Sequence, residues 1–135
     1  MTSTELTIAR VVLDDIVAHA RGARPAECCG LLLGRGTAVA EAVRTLNVSA
    51  DPNRFLIDPQ AHIAARREAR DRGIQVLGFY HSHPHSPPDP SVTDLAEASY
   101  PEYLSLIVSP ATDPATIRLF RVATATFFEI PFRTV

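Results

Sequence analysis

The strongest constraint on this chain is an apolar run that ends in two histidines. Residues 74–80 read Ile-Gln-Val-Leu-Gly-Phe-Tyr, and His81, Ser82, His83 and Pro84 follow. A short apolar run of this kind predicts a buried strand. Because residues i and i+2 of a strand point to the same side, the two imidazoles are expected to converge on one point. The chain must therefore fold so that a buried strand delivers two imidazoles to its end.

A carboxylate follows these histidines across a proline-rich segment. Asp94 comes eleven residues after His83, and the intervening residues include four prolines and Ser91. Two imidazoles and one carboxylate are the ligands of a catalytic Zn²⁺ site, in which water fills the fourth position. Ser91 and Asp94 also fit a helix N-terminus, with Ser91 as N-cap of a short helix over residues 91–98. The two interpretations are compatible, because a capped carboxylate is a well-fixed ligand.

Periodicity along the rest of the chain predicts one α/β domain over residues 1–135. Helices are predicted over residues 12–21 and 59–72, and a short opening strand over residues 6–8. Longer strands are predicted over residues 28–34, 37–48, 74–81, 104–108, 116–122 and 126–130, with residues 34–36 as a hairpin turn. Residues 55–57 are expected to be extended. The sum is a mixed sheet of about six strands with helices packed against it.

Composition narrows the expected partners and location. The net charge is −2 and no basic stripe is present, so nucleic acid is not expected as a partner. No apolar run approaches the ~20 residues that cross a bilayer, and the N-terminus lacks signal-peptide features, so no membrane partner is expected. The two cysteines, Cys28 and Cys29, are adjacent and cannot staple the fold. They are predicted to be reduced and buried, and the protein to be cytoplasmic.

Glu27 is the candidate proton acceptor for such a site. It stands immediately before the apolar run of residues 28–34, at the mouth of a predicted buried strand. A charged side chain is costly to bury there without a role. Hydrolysis by a zinc site needs a group that takes a proton from water and passes it to the leaving group. The alternative is a solvated carboxylate at a strand end, and position alone leaves both open.

Two segments together resemble the JAMM motif of MPN+ metalloproteases. From His81 to Asp94 the pattern is His-x-His-Pro, six residues, then Ser-x-x-Asp. From Pro25 to Gly34 the pattern Pro-x-Glu-x-Cys-Gly-Leu-Leu-x-Gly resembles the glutamate-bearing strand of bacterial and archaeal members. The segments lie in the family's order and separation, and the resemblance covers almost the whole chain.

The resemblance implies a fold and a role for each residue of the site. The fold is a cytidine-deaminase-like three-layer α/β/α domain with a mixed β-sheet. His81, His83 and Asp94 would ligate Zn²⁺, and Glu27 would act as general base and then as proton donor to the leaving amine. Ser91 would hydrogen-bond the oxyanion that develops on the scissile carbonyl. The chain would thus be a zinc metallopeptidase.

The compact chain looks like the stand-alone prokaryotic members of this family. These cut small β-grasp ubiquitin-like sulfur-carrier proteins after a Gly-Gly tail, releasing cysteine or a C-terminal extension. A tail bound in extended form could pair with a sheet edge near the site. Arg54, Phe55 and the loop of residues 87–90 are expected to line its groove. Small domains with exposed sheet edges often dimerise, so a homodimer is also considered.

The sequence leaves three other functions open. They are a deubiquitinase-like isopeptidase, a cell-wall-type peptidase with the same site, and a non-catalytic MPN interaction module.

Two residues next to the histidines have expected roles outside metal binding. His85 is predicted to be exposed rather than a third imidazole ligand. Ser82 alternates to the other face of the strand, where it is expected to pack or to support the site.

Overall fold

The computed structural model shows a mixed sheet covered by one helix on each face. The structure describes residues 5–51, 54–91, 103–123 and 126–135. Within them the helices are α1 (Arg10–Ala23) and α2 (Pro59–Asp71). The strands are β1 (Leu6–Ile8), β2 (Cys29–Arg35), β3 (Ala38–Thr45), β4 (Gln75–Ser82), β5 (Leu104–Ser109), β6 (Thr116–Ala123), β7 (Thr126–Glu129) and β8 (Phe132–Thr134).

The strand that carries the histidines lies inside the sheet. The strand order is β7-β6-β5-β4-β2-β3-β1-β8. On one side β4 pairs antiparallel with β2, with Cys29 opposite His81. On the other side it pairs parallel with β5, with His81 opposite Ile107. Because both neighbours saturate its backbone hydrogen bonds, the end of β4 is held firmly between two strands.

The two faces of the sheet pack against different helices and confirm the three-layer arrangement. One apolar cluster joins Ile16 of α1 to the sheet through Tyr80 and Leu106. A second cluster joins Ala65 and Ala69 of α2 to the other face of the sheet. Side chains alternate from Gly78 onward, so Tyr80 and Ser82 face α1, whereas Phe79 and His81 face α2. Before Gly78 a register shift against β2 reverses this order, and Val76 packs toward α2.

Local sequence explains how β2 approaches β4 so closely. Gly30 lies opposite Tyr80 in the antiparallel pair. A Cβ at this glycine would collide with the Tyr80 ring and with the carbonyl oxygen of Val43. The absence of a side chain at position 30 therefore leaves room for the Tyr80 ring against β2. This close contact lies next to the pair of Cys29 and His81.

The structure agrees with most of the predicted elements and corrects the strand count. Both long helices and the six longer strands are present within a few residues of their predicted bounds. The sheet has eight strands in the described ranges rather than about six, because the short opening strand β1 and the unpredicted strand β8 both join it. The hairpin turn falls at Gly36 and Thr37, where Gly36 has a φ of 57°. The helix predicted over residues 91–98 lies outside the described residues from Val92 onward. No described helix is both long and apolar enough to cross a membrane.

Candidate active site

The two histidines meet at the end of β4, on the face toward α2. His81 and His83 are only 2% and 8% exposed. Their Nε2 atoms lie 3.2 Å apart. Two ligands of a tetrahedral zinc, each at about 2.05 Å, are separated by about 3.3 Å. The spacing of the two nitrogens is therefore the spacing that a shared zinc ion requires, and the convergence predicted from the sequence is confirmed.

A backbone carbonyl and an aromatic ring orient these imidazoles. The Nδ1 of His83 lies 2.9 Å from the carbonyl oxygen of Pro87. Because a carbonyl can only accept, Nδ1 donates, which leaves Nε2 of a neutral His83 unprotonated and able to bind a metal. The ring of Phe55 stacks on His81, with centroids 4.3 Å apart and planes 15° apart. Phe55, expected in the groove, thus contacts a candidate ligand directly.

Ser82 ties the end of β4 to the start of β2. The backbone N–H of Cys28 donates to Ser82 Oγ at 2.9 Å, and the backbone N–H of Ser82 donates to the Cys28 carbonyl at 3.1 Å. Ser82 is fully buried on the face toward α1. The residue between the two histidines therefore fixes the strand that carries Glu27, which bears out its predicted supporting position.

The register of this strand pair indicates where Glu27 lies. Cys29 pairs with His81, and the Cys28–Ser82 hydrogen bonds continue the ladder by one residue. Glu27 precedes β2 and is half-buried, and burial together with the Glu27 charge raises the pKa of the Cys29 thiol. Extending the same register by one more residue would oppose Glu27 to His83. That this carboxylate exchanges protons with a bound water stays a prediction.

Asn47 is a supporting residue that the sequence analysis missed. Its Nδ2 donates to the carbonyl oxygens of Glu27 and Arg54, each at 3.1 Å. Its Oδ1 accepts the backbone N–H groups of Ser49 at 3.0 Å and Leu56 at 2.9 Å. All four hydrogen-bonding positions of the amide are used. One side chain thus fastens the backbone of Glu27 to the segment that carries Phe55. A lone asparagine between Leu46 and Val48 was the available signal.

The remaining predicted site residues lie at or beyond the edge of the described chain. Ser91 is exposed, and Asp94 falls in residues 92–102, outside the described ranges. No group of three metal-binding side chains is found among the residues that the structure does describe. The fit to a metal therefore rests on the spacing of the two Nε2 atoms and on the hydrogen bond that leaves Nε2 of His83 unprotonated. His81 and His83 would supply two ligands, and Asp94 the expected third.

Other titratable residues near the site have structural surroundings. His85 is exposed, as predicted. Cys28 and Cys29 are free and buried, as predicted. Burial raises the pKa of the Cys28 thiol to about 11 and also raises the pKa of Cys29. Because the thiolate is the reactive form, these thiols are unreactive near neutral pH. Both side chains are packed in the interior at the start of β2, and the proposed chemistry does not use them.

Comparison with known proteins identifies the family of this chain. Residues 9–123 match the family of prokaryotic homologues of the JAB domain. A Haloferax volcanii protein named desampylase is 42% identical over 82% of this chain and 84% of its own. A Mycobacterium bovis protein named CysO-cysteine peptidase is 29% identical over 96% of this chain and 91% of its own.

A solved structure agrees across nearly the whole fold. The solution structure of a Desulfitobacterium hafniense protein has a TM-score of 0.88 and 30% identity, covering 96% of this chain and 92% of that one. The family match covers both the Glu27 strand and the histidine strand. The chain therefore belongs to the prokaryotic JAB-domain family and is a hydrolase of the JAMM metalloprotease type.

Proposed function

We propose that this chain is a zinc-dependent hydrolase that acts on a small ubiquitin-like sulfur-carrier protein. It cleaves the amide bond after the carrier's C-terminal Gly-Gly tail and releases cysteine or a C-terminal extension. The observation that carries this proposal is the pair of buried Nε2 atoms 3.2 Å apart, on the strand beside Glu27. The relative named CysO-cysteine peptidase, aligned over 96% of this chain, supports the carrier class.

The chemistry follows from the position of each side chain. Zinc held by His81, His83 and Asp94 would lower the pKa of water at the site and polarise the scissile carbonyl. The carboxylate of Glu27 takes a proton from the attacking water and then delivers it to the departing amine nitrogen. The Ser91 hydroxyl donates a hydrogen bond to the carbonyl oxygen as negative charge develops there.

The position of β4 in the sheet restricts where the tail can bind. The edge strands β7 and β8 are separated from β4 by two and three intervening strands. At about 4.8 Å per strand, an edge-paired tail would lie more than 10 Å from the histidines. Pairing of the tail with β7 or β8 would therefore leave it far from the histidines, and pairing with another sheet edge near the site stays a prediction. We infer that the tail runs past Phe55 and the loop of residues 84–90, both of which contact the histidines.

A second substrate class is favoured by the relative of higher identity. The Haloferax volcanii protein, at 42% identity, is named desampylase rather than cysteine peptidase. The corresponding alternative here is a ubiquitin-like protein joined through its tail to a lysine of another protein. Both reactions hydrolyse the same amide carbonyl and differ only in the amine that leaves. The same site residues therefore serve either substrate.

The proposal is tested with matched conjugates and mass spectrometry. The zinc-loaded chain is incubated with one carrier protein that bears either a C-terminal cysteine or an isopeptide-linked lysine peptide. We expect release of cysteine and of carrier ending in Gly-Gly, with loss of turnover after chelation and recovery on adding zinc. Faster cleavage of the lysine conjugate would favour the alternative. Bound zinc with neither conjugate cut, or cleavage of cell-wall peptides instead, would contradict the proposal.

A further inference from the structure

A strongly basic cavity lies at the end of β4 opposite the histidines. Its volume is about 850 Å³. Arg35, Arg66, Arg70 and Arg121 line it, and no aspartate or glutamate is found among its described lining residues. Gln75, at the start of β4, also lines it and stands six positions before His81. At about 3.3 Å per residue, Gln75 is roughly 20 Å from His81. Leu104, at the other side of the cavity, lies opposite Gly78, three positions before His81.

This concentration of charge contrasts with the rest of the chain. The net charge is −2, and all thirteen basic residues are arginine. Six arginines elsewhere form ion pairs with aspartate or glutamate: Arg21, Arg44, Arg54, Arg72, Arg118 and Arg133. Arg35 and Arg70 have no ion pair within the described residues. Their charge is therefore not neutralised by any carboxylate that the structure describes.

Two elements supply most of the arginines that line the cavity. Arg66 and Arg70 are four residues apart on α2 and so lie on one face of the helix. Arg35 ends β2, and its Nη2 lies 3.8 Å from where a Cβ of Gly73 would stand. Gly73 has a φ of 71°, a conformation that favours glycine, and its lack of a side chain leaves the guanidinium room. The C-terminus of α2 adds only about half a negative charge, which the guanidiniums of Arg35 and Arg70 outweigh.

The floor of the cavity is apolar and includes an aromatic ring. Val76, Leu77 and Leu104 contribute apolar surface, and Tyr103 contributes the ring. The guanidinium of Arg66 lies over that ring, 5.4 Å from its centroid. Ligand sites of 300–1,000 Å³ commonly combine apolar walls with a few placed polar groups. The size and lining here suit a small molecule with a charged group and a flat apolar part.

We infer that this cavity binds a small polyanion that carries a diphosphate group. Guanidinium groups bind phosphate oxygens through paired N–H donors, and several forks around one space favour two adjacent phosphates. Free diphosphate and the diphosphate of a nucleotide share this chemistry. A nucleotide would additionally place its base against Tyr103 and the apolar floor. The cavity shares no residue with the histidine site, so its occupancy does not depend on the proposed hydrolysis.

The test is calorimetric titration of the full-length zinc-loaded chain with inorganic pyrophosphate and, separately, with adenosine diphosphate. Arg35→Gln and Arg70→Gln should each weaken binding about tenfold, since each removes one charge-assisted contact. Arg67→Gln is the matched control, because Arg67 is an exposed residue of α2 that does not line the cavity. It should change the dissociation constant by less than about threefold. Tighter binding of the nucleotide than of pyrophosphate assigns the nucleotide, and equal binding assigns free diphosphate.

Two controls keep the inference open to failure. Pyrophosphate also binds zinc, so the titration is repeated on metal-stripped chain, where the same arginine dependence is expected. Binding that disappears with the metal, or that all three substitutions weaken alike, would overturn the inference. An acidic peptide that binds through Arg35 and Arg70 where pyrophosphate does not would also overturn it, in favour of a protein-docking surface.

Discussion

The two faces of β4 carry buried polar side chains that differ in what they contact. Toward α1, the Tyr80 hydroxyl lies 2.7 Å from Nδ1 of His19, and Ser82 Oγ accepts from Cys28. Toward α2, the Nε2 atoms of His81 and His83 face each other. On the α1 side, Tyr80 and Ser82 form hydrogen bonds with other parts of the fold. On the α2 side, the two Nε2 atoms converge on one position. Alternation at the end of this strand thus separates groups that hold the protein together from groups available for chemistry. We call the side of β4 toward α1 the structural face and the side toward α2 the chemical face.

Removal of a ligand on the chemical face should have the largest effect. We expect His83→Ala to lose stoichiometric zinc and to lower kcat/KM on the order of 10⁴-fold, because the several kcal/mol supplied by the metal are lost. Metal content by mass spectrometry and cleavage of the carrier conjugate measure both effects. His85→Ala is the matched control for zinc content, because His85 is two residues further on and exposed. Full activity and zinc in His83→Ala would show that the converging nitrogens are not ligands.

Replacement of the neighbouring carboxylate should separate catalysis from metal binding. We expect Glu27→Gln to keep zinc but to lower kcat on the order of 10³-fold, the range typical of a lost general base. The isosteric amide keeps the size of the side chain, so the fold is unaffected. Near-wild-type turnover by this variant would remove Glu27 from the mechanism, and joint loss of zinc would make it a ligand instead.

Features set by local pattern were the ones that the sequence predicted. The apolar run of residues 74–80 predicted the strand, and the two-residue spacing of His81 and His83 predicted their shared face, because side-chain direction in a strand follows from residue spacing. The two helices followed from apolar spacing in the same way. Pairing between distant residues was harder to predict. The β8 strand is three residues long, follows Pro131 and pairs parallel with β1 at the other end of the chain.

Supporting contacts of the site were also beyond sequence reasoning. The stacking of Phe55 on His81 joins residues 26 apart, and the hydrogen bond of Asn47 to Glu27 joins residues 20 apart. Neither contact has a period or a turn signal. Each depends on the path of the segment between β3 and α2, which has no regular secondary structure to predict it from. The sequence therefore predicted the convergence of His81 and His83 better than the contacts that hold them there.

The structural face should control stability at alkaline pH. Burial raises the pKa of Cys28 from 9.0 to about 11, so the folded state holds its proton more tightly than the unfolded state. The resulting stability is fully present below pH 9 and is lost as pH rises from 9 to 11, by about 2–3 kcal/mol. Urea unfolding at pH 8 and pH 10.5 measures this loss. Cys28→Ala should show a smaller fall over the same interval, and an identical fall would contradict the assignment.

The hydrogen bond across the β2–β4 junction should matter for folding more than for metal binding. Ser82→Ala leaves the buried N–H of Cys28 without its acceptor, which should lower the free energy of unfolding by about 1–3 kcal/mol. We expect a lower urea midpoint, an unchanged m-value and stoichiometric zinc. Ser86→Ala, at an exposed position, should change stability by less than about 0.5 kcal/mol. Equal midpoints for the two variants would show that the serine hydroxyl is dispensable.

The smallest expected effect tests whether the chemical face also depends on packing. Phe55 holds the ring of His81 by stacking, and such a pair contributes about 0.5–1.5 kcal/mol. Phe55→Leu should therefore weaken zinc affinity by about three- to tenfold. Competition with a chelator of known affinity measures this change, and Phe128→Leu, at an exposed ring, is the control. Unchanged zinc affinity with a raised KM would instead mean that Phe55 contacts the substrate tail. The histidine orientation would then depend on the Pro87 carbonyl and the β-sheet alone.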